Sequence, residues 1–519
     1  MIAKNGVLFG QFSNPEVITQ LIPRAKHIRF KGKELVLIPH RLDETLVLQN
    51  LGLNPPSPIL TQYNWPGRFR PMSHQYETAA FLSLHKRAFC LNDMGTGKTA
   101  AACWAADYLL QLGQIDQVII ICPLSVLSVW TREIFTVLPH RSAEVMVGSR
   151  DKRLKILHGH AQFKVINFDG LKSIADEVKE YAQGKRILVL VDEASTYRTA
   201  GNKRYRALRD MITPLTWLWM MTGTPVPNAP TDAWALAKLV NPKGVPNSFN
   251  LFRETVMKPA GPYKWVPRPG ATNIAYAALQ PAIRFMKSEC LDLPPVTYND
   301  RMCEMTDEQK VAFTNFKKKM RHEDKEAGVN ITAANAAVRL LKFQQVFCGV
   351  VKDDDQLPVW INNTPRLALT EELIEEAGGK VIVFAPFLFS MAQLKRHLGK
   401  RWRVELVNGQ TPKNERERIF NEFQNGDTVD VLVAHPATTA HGLTLTASST
   451  IIWYAPTYSL ELYEQANARI DRKGQLNPCT IYHIGCHPVE WQIYEALQKK
   501  SAIQGALLGL YSRILAPGA

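Results

Sequence analysis

Two stretches of this chain carry the same signature: short apolar runs separated by amphipathic helical segments. The first extends from about residue 69 to 240, with runs at 88–91, 118–122, 163–167, 187–191 and 217–222. The second extends from 380 to 484, with runs at 381–385, 402–407, 429–434, 450–454 and 480–484. A strand with one wet face alternates apolar and polar residues. Strands that are apolar at nearly every position are buried on both faces, which requires a parallel sheet covered by helices on either side. The fold class is therefore α/β, with two parallel-sheet domains. Residues 241–379 between them read as a helical, loop-rich connector with insertions. The first 60 residues read as a small α+β unit. In it, Asn14-Pro15-Glu16 opens a helix with Asn as cap and Pro at the first position. Runs at 27–30 and 34–38 form a hairpin around Lys31-Gly32-Lys33, a helix covers 43–51, and a Pro-rich joint at 54–58 ends the unit. The expected boundaries are 1–60, 61–240, 241–379 and 380–519.

Several classes of protein are excluded. No stretch is apolar for long enough to span a bilayer; the best, 118–130, is broken by Pro123, Ser125 and Ser128. The N-terminus has no signal-peptide pattern. The eight cysteines show no CxxC spacing and no Cys/His cluster, which speaks against a disulfide framework or zinc site and for a reducing compartment, cytoplasmic or nuclear. Lys and Arg exceed Asp and Glu by 62 to 47, a net +15, which favours a polyanionic partner over a membrane.

Two motifs carry chemistry. Asn92-Asp93-Met94-Gly95-Thr96-Gly97-Lys98-Thr99 stands between the run 88–91 and the helical run 100–112. Strand, Gly-rich turn, Lys-Thr and helix is the context of a phosphate-binding loop. Its glycines let backbone N–H groups close on phosphate oxygens at a helix N-terminus. Lys98 reaches the terminal phosphates and Thr99 holds Mg²⁺. The general pattern has Gly where this chain has Asn92, so the match is to GxGKT. A glycine turn without a ligand is the plain alternative. Downstream, the run 187–191 ends in Asp192-Glu193. Acids at the carboxyl end of a buried parallel strand lie where open α/β sheets bind ligands. Asp192 would hold Mg²⁺ and Glu193 would orient or deprotonate water. By itself such a pair is more often a cap or surface feature; downstream of Lys98 it reads as catalytic.

Together with further segments, these residues resemble the Swi/Snf-like translocases of helicase superfamily 2, of phage or bacterial type. The resemblance runs from Phe69 to Lys500 in motif order. Phe69 to Gln75 resembles the adenine-reading segment, with Gln75 on the base. Ile121 to Ser125 with Trp130, and Asn167-Phe168-Asp169, resemble motifs Ia and Ib. Thr222-Gly223-Thr224-Pro225, followed by Asn228, Asp232 and Trp234, resembles motif III, and Arg284 to Lys287 with Leu293-Pro294-Pro295 resembles the link to the second domain. Val381 to Phe384, Asn408 to Thr411 with Arg416 and Phe423, His435 to Leu445, and Gln465 to Gln475 resemble the segments of the second domain.

The resemblance implies two tandem RecA-like domains and an ATP hydrolase using ATP and Mg²⁺. The ATP-binding residues are then Gln75, Gly95, Thr96, Gly97, Lys98 and Thr99; Thr99 and Asp192 hold the metal. Glu193, Arg469 and Arg472 are catalytic, the arginines reaching the ATP phosphates. Being three apart, Arg469 and Arg472 share one face if they lie on a helix. Ser195, Thr222, Thr224, Gly442 and Gln465 couple the nucleotide to movement, while Ser125, Asn167, Arg416, Thr438 and Thr439 line the DNA backbone. Two departures bear on coupling: Ser195 stands where the family often has His, and Thr438-Thr439-Ala440 with His441 replaces small residues.

The implied function is DNA-dependent ATP hydrolysis driving movement on duplex or branched DNA by a monomer, alongside replication or recombination proteins. ATP binding closes the domains and hydrolysis reopens them. For residues 1–60, branch migration, fork remodelling or annealing stands beside a plain stability or docking module. A strand-separating helicase or an RNA-dependent ATPase would share these motifs. A silent nucleic-acid clamp would not need Lys98, Asp192, Glu193 and both arginines, and a small-molecule kinase would not need the second sheet. Two further basic stretches stay open. Residues 258–268, with Lys258, Tyr263, Lys264, Trp265 and Arg268, form either a nucleic-acid loop or one pinned to the core. Lys317, Lys318, Lys319 and Arg321 read better as a solvated helix face.

Overall fold

The computed structural model describes residues 1–226, 229–261, 264–327, 333–352, 358–439 and 443–499. They divide into two compact units. The first comprises Met1–Pro225, Thr231–Glu254 and Thr272–Cys290; the second holds the remaining described residues.

In the first unit the opening residues build an antiparallel sheet. Strands β1 (Ile2–Lys4), β2 (Val7–Gly10), β3 (Lys26–Phe30) and β4 (Lys33–Pro39) lie in the order β1-β2-β4-β3. One face of it packs Leu8, Val36 and Ile38 against Ile18 and Ile22, from the helix Pro15–Leu21 and its end, and Leu48 of the helix Leu42–Asn50. The hairpin and both helices stand where the sequence puts them; β1 and β2 were not anticipated. Asn14 makes no side-chain cap bond, so Pro15, whose ring fixes φ, is what marks the start of that helix. The Pro-rich joint is docked rather than loose. The His40 ring bonds the Pro56 carbonyl at 2.8 Å, and the Ser57 and Ser83 hydroxyls meet at 2.9 Å.

The apolar runs of the first stretch become β5 (Arg87–Cys90), β6 (Gln117–Cys122), β8 (Phe163–Asn167), β9 (Ile187–Asp192) and β10 (Trp217–Met221), joined by a short edge strand β7 (Ala143–Val145). Every described pairing among them is parallel. Helices cover both faces. The helix Lys98–Gln111 can lie flat on the sheet because Ala100, Ala101, Ala102, Ala105 and Ala106 are small and buried; Trp104, Trp130 and Trp219 fill the remaining space.

The segment 241–379 carries strands as well as the helices expected of it. It contains a hairpin, β11 (Met257–Gly261) with β12 (Lys264–Pro267), and β13 (Ala282–Ile283), which pairs with β5 and completes a seven-stranded sheet of order β13-β5-β10-β9-β6-β8-β7. It also contains β14 (Val296–Met302) and a second hairpin, β15 (Val350–Lys352) with β16 (Pro358–Trp360). In the second unit β17 (Val381–Phe384), β18 (Val404–Val407), β19 (Val431–Ala434), β20 (Thr450–Trp453) and β21 (Cys479–Gly485) join β14 in a six-stranded parallel sheet of order β14-β21-β20-β17-β19-β18. Among the described residues its core holds a buried ion pair: the Arg366 guanidinium donates to Glu490 Oε2 at 2.5 Å and to the Tyr454 carbonyl at 2.5 Å, with both charged side chains 1% exposed.

Candidate functional site

Parallel strands all present their carboxyl ends at one edge of a sheet, and the loops there bind ligands. Along the first sheet that edge carries, in spatial order, the loop after β5, the Thr222–Gly223 turn after β10, Asp192 at the end of β9, Ser125 after β6 and Asn167 at the end of β8.

The loop after β5 is a preformed cradle. Gly95 and Gly97 have φ of 84° and 76°. Glycine is favoured at position 97 by that positive φ, and a Cβ there would also have to displace the end of the Gln75 side chain. Gln75 is 6% exposed and fully engaged: it accepts the Met72 N–H at 2.9 Å and donates to the Thr96 carbonyl at 3.2 Å. His74 bonds the same carbonyl at 2.8 Å, and the Thr96 hydroxyl closes on the Asp93 carbonyl at 2.8 Å. Gln75 thus clamps the loop, a role the motif reading did not include. Lys98 opens the helix and lays its ammonium on the Asn92 and Asp93 carbonyls, at 2.7 and 3.1 Å. Thr99 follows it in the first turn.

Asn92, the departure from the general motif, has a job of its own. It is 1% exposed, donates to Thr78 Oγ1 at 2.8 Å and accepts the Phe285 N–H at 3.0 Å. Asp93 accepts the Lys287 N–H at 3.1 Å, and its own N–H donates to the Phe285 carbonyl at 2.9 Å. The segment 284–287 is therefore bonded directly to the cradle. A glycine at position 92 could not do this, and the contact spans too much sequence to be read from a motif.

At the end of β9, Asp192 accepts the Trp130 indole N–H at 2.9 Å on Oδ2 and the Glu193 N–H at 3.1 Å on Oδ1. Burial raises its pKa above the usual carboxylate value, and the Trp130 bond, the nearby Lys98 charge and the Glu193 N–H oppose the rise. The influence of Lys98 on Asp192 places cradle and carboxylate within one electrostatic environment. Glu193 sits at φ 54°. A side-chain-bearing residue in the left-handed region costs of order 1–3 kcal/mol, a strain typical of catalytic turns. Ser195 is 1% exposed in the 3₁₀ turn Ala194–Tyr197, where its carbonyl accepts from Arg198. The Thr222 N–H donates to the Cys90 carbonyl and the Thr224 N–H to Thr222 Oγ1, at 3.1 and 3.2 Å. A Cβ on Gly223 would stand 3.2 Å from Met94, so this turn packs on the cradle.

In the second unit the arginines converge by a different route from the one the spacing suggested. The helix Leu460–Asn467 ends before them, so Arg469 and Arg472 lie in the turns that follow. Both nonetheless donate to one acceptor, the Leu443 carbonyl, and Arg469 Nε also donates to the Gln465 carbonyl at 2.7 Å. Gln465 is 1% exposed, and its Oε1 has no partner among the described residues.

The residues expected at DNA divide. Ser125 is exposed and Asn167 half-buried, both at the same sheet edge as the cradle. Arg416, on the helix Lys413–Asn425, is half-buried and donates to the Thr411 carbonyl at 3.1 Å. Thr438 and Thr439 are buried, 9% and 0% exposed, with hydroxyls turned onto the His435 and Pro436 carbonyls; the exposed residue of that turn is Ala437. Gly442 and Tyr263, like Asn228, lie outside the described residues. Trp265 is half-buried in the β11–β12 hairpin, whereas Lys318 and Lys319 are exposed on the helix Asp307–Ala327.

A GxGKT turn and an Asp-Glu strand end in one parallel sheet, followed later in the sequence by a second parallel sheet, fit an ATP-hydrolysing enzyme with a tandem RecA-like core. Residues 74–349 match the SNF2-related domain and residues 365–474 the helicase conserved C-terminal domain; the chain belongs to the SNF2-related family. Protein p41 of Acyrthosiphon pisum secondary endosymbiont phage 1 is 25% identical over 477 residues, covering 86% of this chain and 99% of that one. An uncharacterized ATP-dependent helicase of Mycoplasma genitalium is 25% identical over 411 residues, 76% of this chain and 37% of its own length. Mouse chromodomain-helicase-DNA-binding protein 1-like is 24% identical over 471 residues, 85% of this chain and 50% of its own length. The chain thus spans half or less of these last two relatives. Among solved structures, a yeast Dbp5 variant bound to RNA and ADP BeF3 aligns with TM-score 0.52 at 14% identity, covering 86% of this chain and 94% of that one, a likeness of fold. No helix among the described residues is long and apolar enough to cross a membrane.

Proposed function

We propose that this SNF2-family ATPase is driven by DNA and moves along it, gripping the phosphate backbone of duplex or branched DNA without reading sequence. The observation that carries the reading is the order of loops along the first sheet. Cradle, Thr222 turn and Asp192 occupy one part of the edge, and the Ser125 and Asn167 loops continue it directly. Strain or displacement at the nucleotide part is thereby passed to a neighbouring surface through β9 and β6, which pair residue by residue. The net charge of +15 suits a phosphate track, and one similar protein has DNA binding in its name.

Lys98 neutralises the terminal phosphates and the cradle N–H groups hold them. Mg²⁺ fits the donors present: among the described residues Asp192 accepts one N–H on each oxygen, and Thr99 adds a hydroxyl, hard oxygen ligands that leave room for substrate phosphates. When bound, the ion would neutralise charge on the phosphates. Glu193 orients and deprotonates the attacking water. Arg469 and Arg472 add positive charge to the same phosphates as charge develops, which ties hydrolysis to the state of the second unit. Ser195, Thr222, Thr224, Gly442 and Gln465 transmit that state, and Ser125, Asn167 and Arg416 hold backbone phosphates. Branch migration, fork remodelling or annealing would be the work of residues 1–60.

ATPase rates measured against duplex DNA, forked DNA, single-stranded DNA and RNA at two salt concentrations test this. Stimulation by duplex or forked DNA that weakens with salt is expected. Stimulation by RNA alone would replace the reading with an RNA-dependent ATPase, and no stimulation by any of them would remove it.

A further inference from the structure

The two neighbouring strands at one edge of the second sheet are each followed by a cysteine. β14 and β21 run parallel in unbroken register from Val296 with Cys479 to Met302 with Gly485. Cys303 and Cys486 come next on each strand, and the Cys303 N–H still donates to the Gly485 carbonyl at 3.0 Å, so the ladder reaches them. Neighbouring strands lie about 4.8 Å apart, within the Cα separation of about 4.4–6.8 Å that a disulfide spans. Residues paired in a parallel ladder point to the same face, and both cysteines pack on the same cluster around Val383, Ile452 and Ile484. The Cys303 thiol donates to the Gly485 carbonyl at 3.8 Å, beside Cys486, and the buried Arg366 guanidinium donates to Cys486 Sγ at 3.3 Å. Both thiols are free.

We propose that Cys303 and Cys486 form a peroxide-responsive thiol pair, an oxidative modification site that closes to a reversible disulfide. Cys303 is the attacking sulfur. The adjoining Cys486 thiol, and then the Arg366 charge, hold its thiol below the ordinary value against the opposing effect of burial. The Cys303 thiol and burial push Cys486 up in turn, which makes it the resolving thiol. In the first step the Cys303 thiolate attacks hydrogen peroxide: an S–O bond forms, the O–O bond breaks, and the departing hydroxide takes a proton to become water. In the second step Cys486 loses its proton and attacks the sulfenic sulfur: the S–S bond forms, the S–O bond breaks, and a second water leaves. The thiol pair gives up two electrons and peroxide accepts them. Other thiols lack this setting. Burial alone dominates at Cys90, Cys103, Cys122 and Cys348 and raises each of them, which keeps them inert.

The bond would tie the edge strand β14 to β21 and shorten the unfolded chain's reach, so the oxidised protein melts higher than the reduced one. The chain of residues 1–519 is treated with hydrogen peroxide, digested without reductant and mapped by mass spectrometry. The expected product is a single cross-linked peptide joining Cys303 to Cys486, removed by dithiothreitol. In Cys486→Ser, dimedone should trap a sulfenic acid at Cys303, and in Cys303→Ser no cross-link should form. A readout free of variants is the rate of native-state alkylation, expected to be faster at Cys303 than at Cys348. Free thiols at both positions after the half-buried Cys290 has been oxidised, or alkylation of Cys303 no faster than of Cys348, would overturn the proposal.

Discussion

Replacing Trp130 with phenylalanine isolates one bond at the heart of the site. Trp130 is 1% exposed in the helix Leu127–Val137, and its indole N–H lies 2.9 Å from Asp192 Oδ2. Phenylalanine keeps part of the apolar contact and loses the N–H donor together with one of the two fused rings. A hydrogen bond to an ionised group contributes about 1.5–3 kcal/mol. If that energy orients the carboxylate for the magnesium nucleotide, its loss lowers kcat/KM for ATP roughly 10- to 150-fold, at about 1.4 kcal/mol per factor of ten. The smaller ring also loosens the core, so thermal melting should be followed alongside steady-state ATPase assays with titrated MgATP. The expected result is a large fall in kcat/KM in a protein that still melts cooperatively, partly relieved by raised magnesium. A Trp130→Phe protein with the ATPase parameters of the parent would refute the reasoning and leave Trp130 as packing.

Three further outcomes are expected. Asn92→Gly restores the general motif yet should destabilise the first unit by about 2–4 kcal/mol, since two buried hydrogen bonds vanish and strand the Phe285 N–H; a thermal melt no lower than the parent would contradict this. Gly97→Ala should abolish nucleotide binding in an equilibrium assay, because the new methyl meets Gln75 and the backbone needs φ 76°. Glu490→Gln leaves Arg366 charged and uncompensated in the second core, a loss of about 3–5 kcal/mol, equivalent to roughly 6–20 °C in melting temperature for a unit of this size. The double variant Arg366→Met with Glu490→Leu should recover much of that loss, and an unchanged melt for the single variant would show that the ion pair is dispensable.

The apolar runs announced ten of the strands because nearly all are buried on both faces, which leaves a continuous hydrophobic signal; the edge strand β18 is half-buried. β14 gave no such signal: it is an edge strand whose sequence, Val-Thr-Tyr-Asn-Asp-Arg-Met, is mostly exposed. β7 and β13 are three and two residues long, too short for a period to register. Lys98, Thr99, Asp192 and Glu193 were legible because local sequence builds them, a glycine turn in one case and a strand end in the other. What joins them was not. Trp130 reaches Asp192 and Asn92 reaches Phe285 across long stretches of chain, and no local pattern encodes either contact. The arginine pair shows the opposite error: three-residue spacing suggested a shared helix face, whereas the helix stops at Asn467 and the two side chains meet through the Leu443 carbonyl. Nor could spacing tell that Thr438 and Thr439 spend their hydroxyls on their own turn.

The central claim is that one lysine cradle and one arginine pair, on separate units of the chain, serve a single DNA-driven hydrolysis. ATP turnover on duplex DNA by Lys98→Ala, Arg469→Ala and the parent, with DNA affinity measured in parallel, tests it most directly. The parent should hydrolyse ATP in response to DNA, and both variants should keep most of their DNA affinity while losing turnover. Full turnover in either variant would contradict the account.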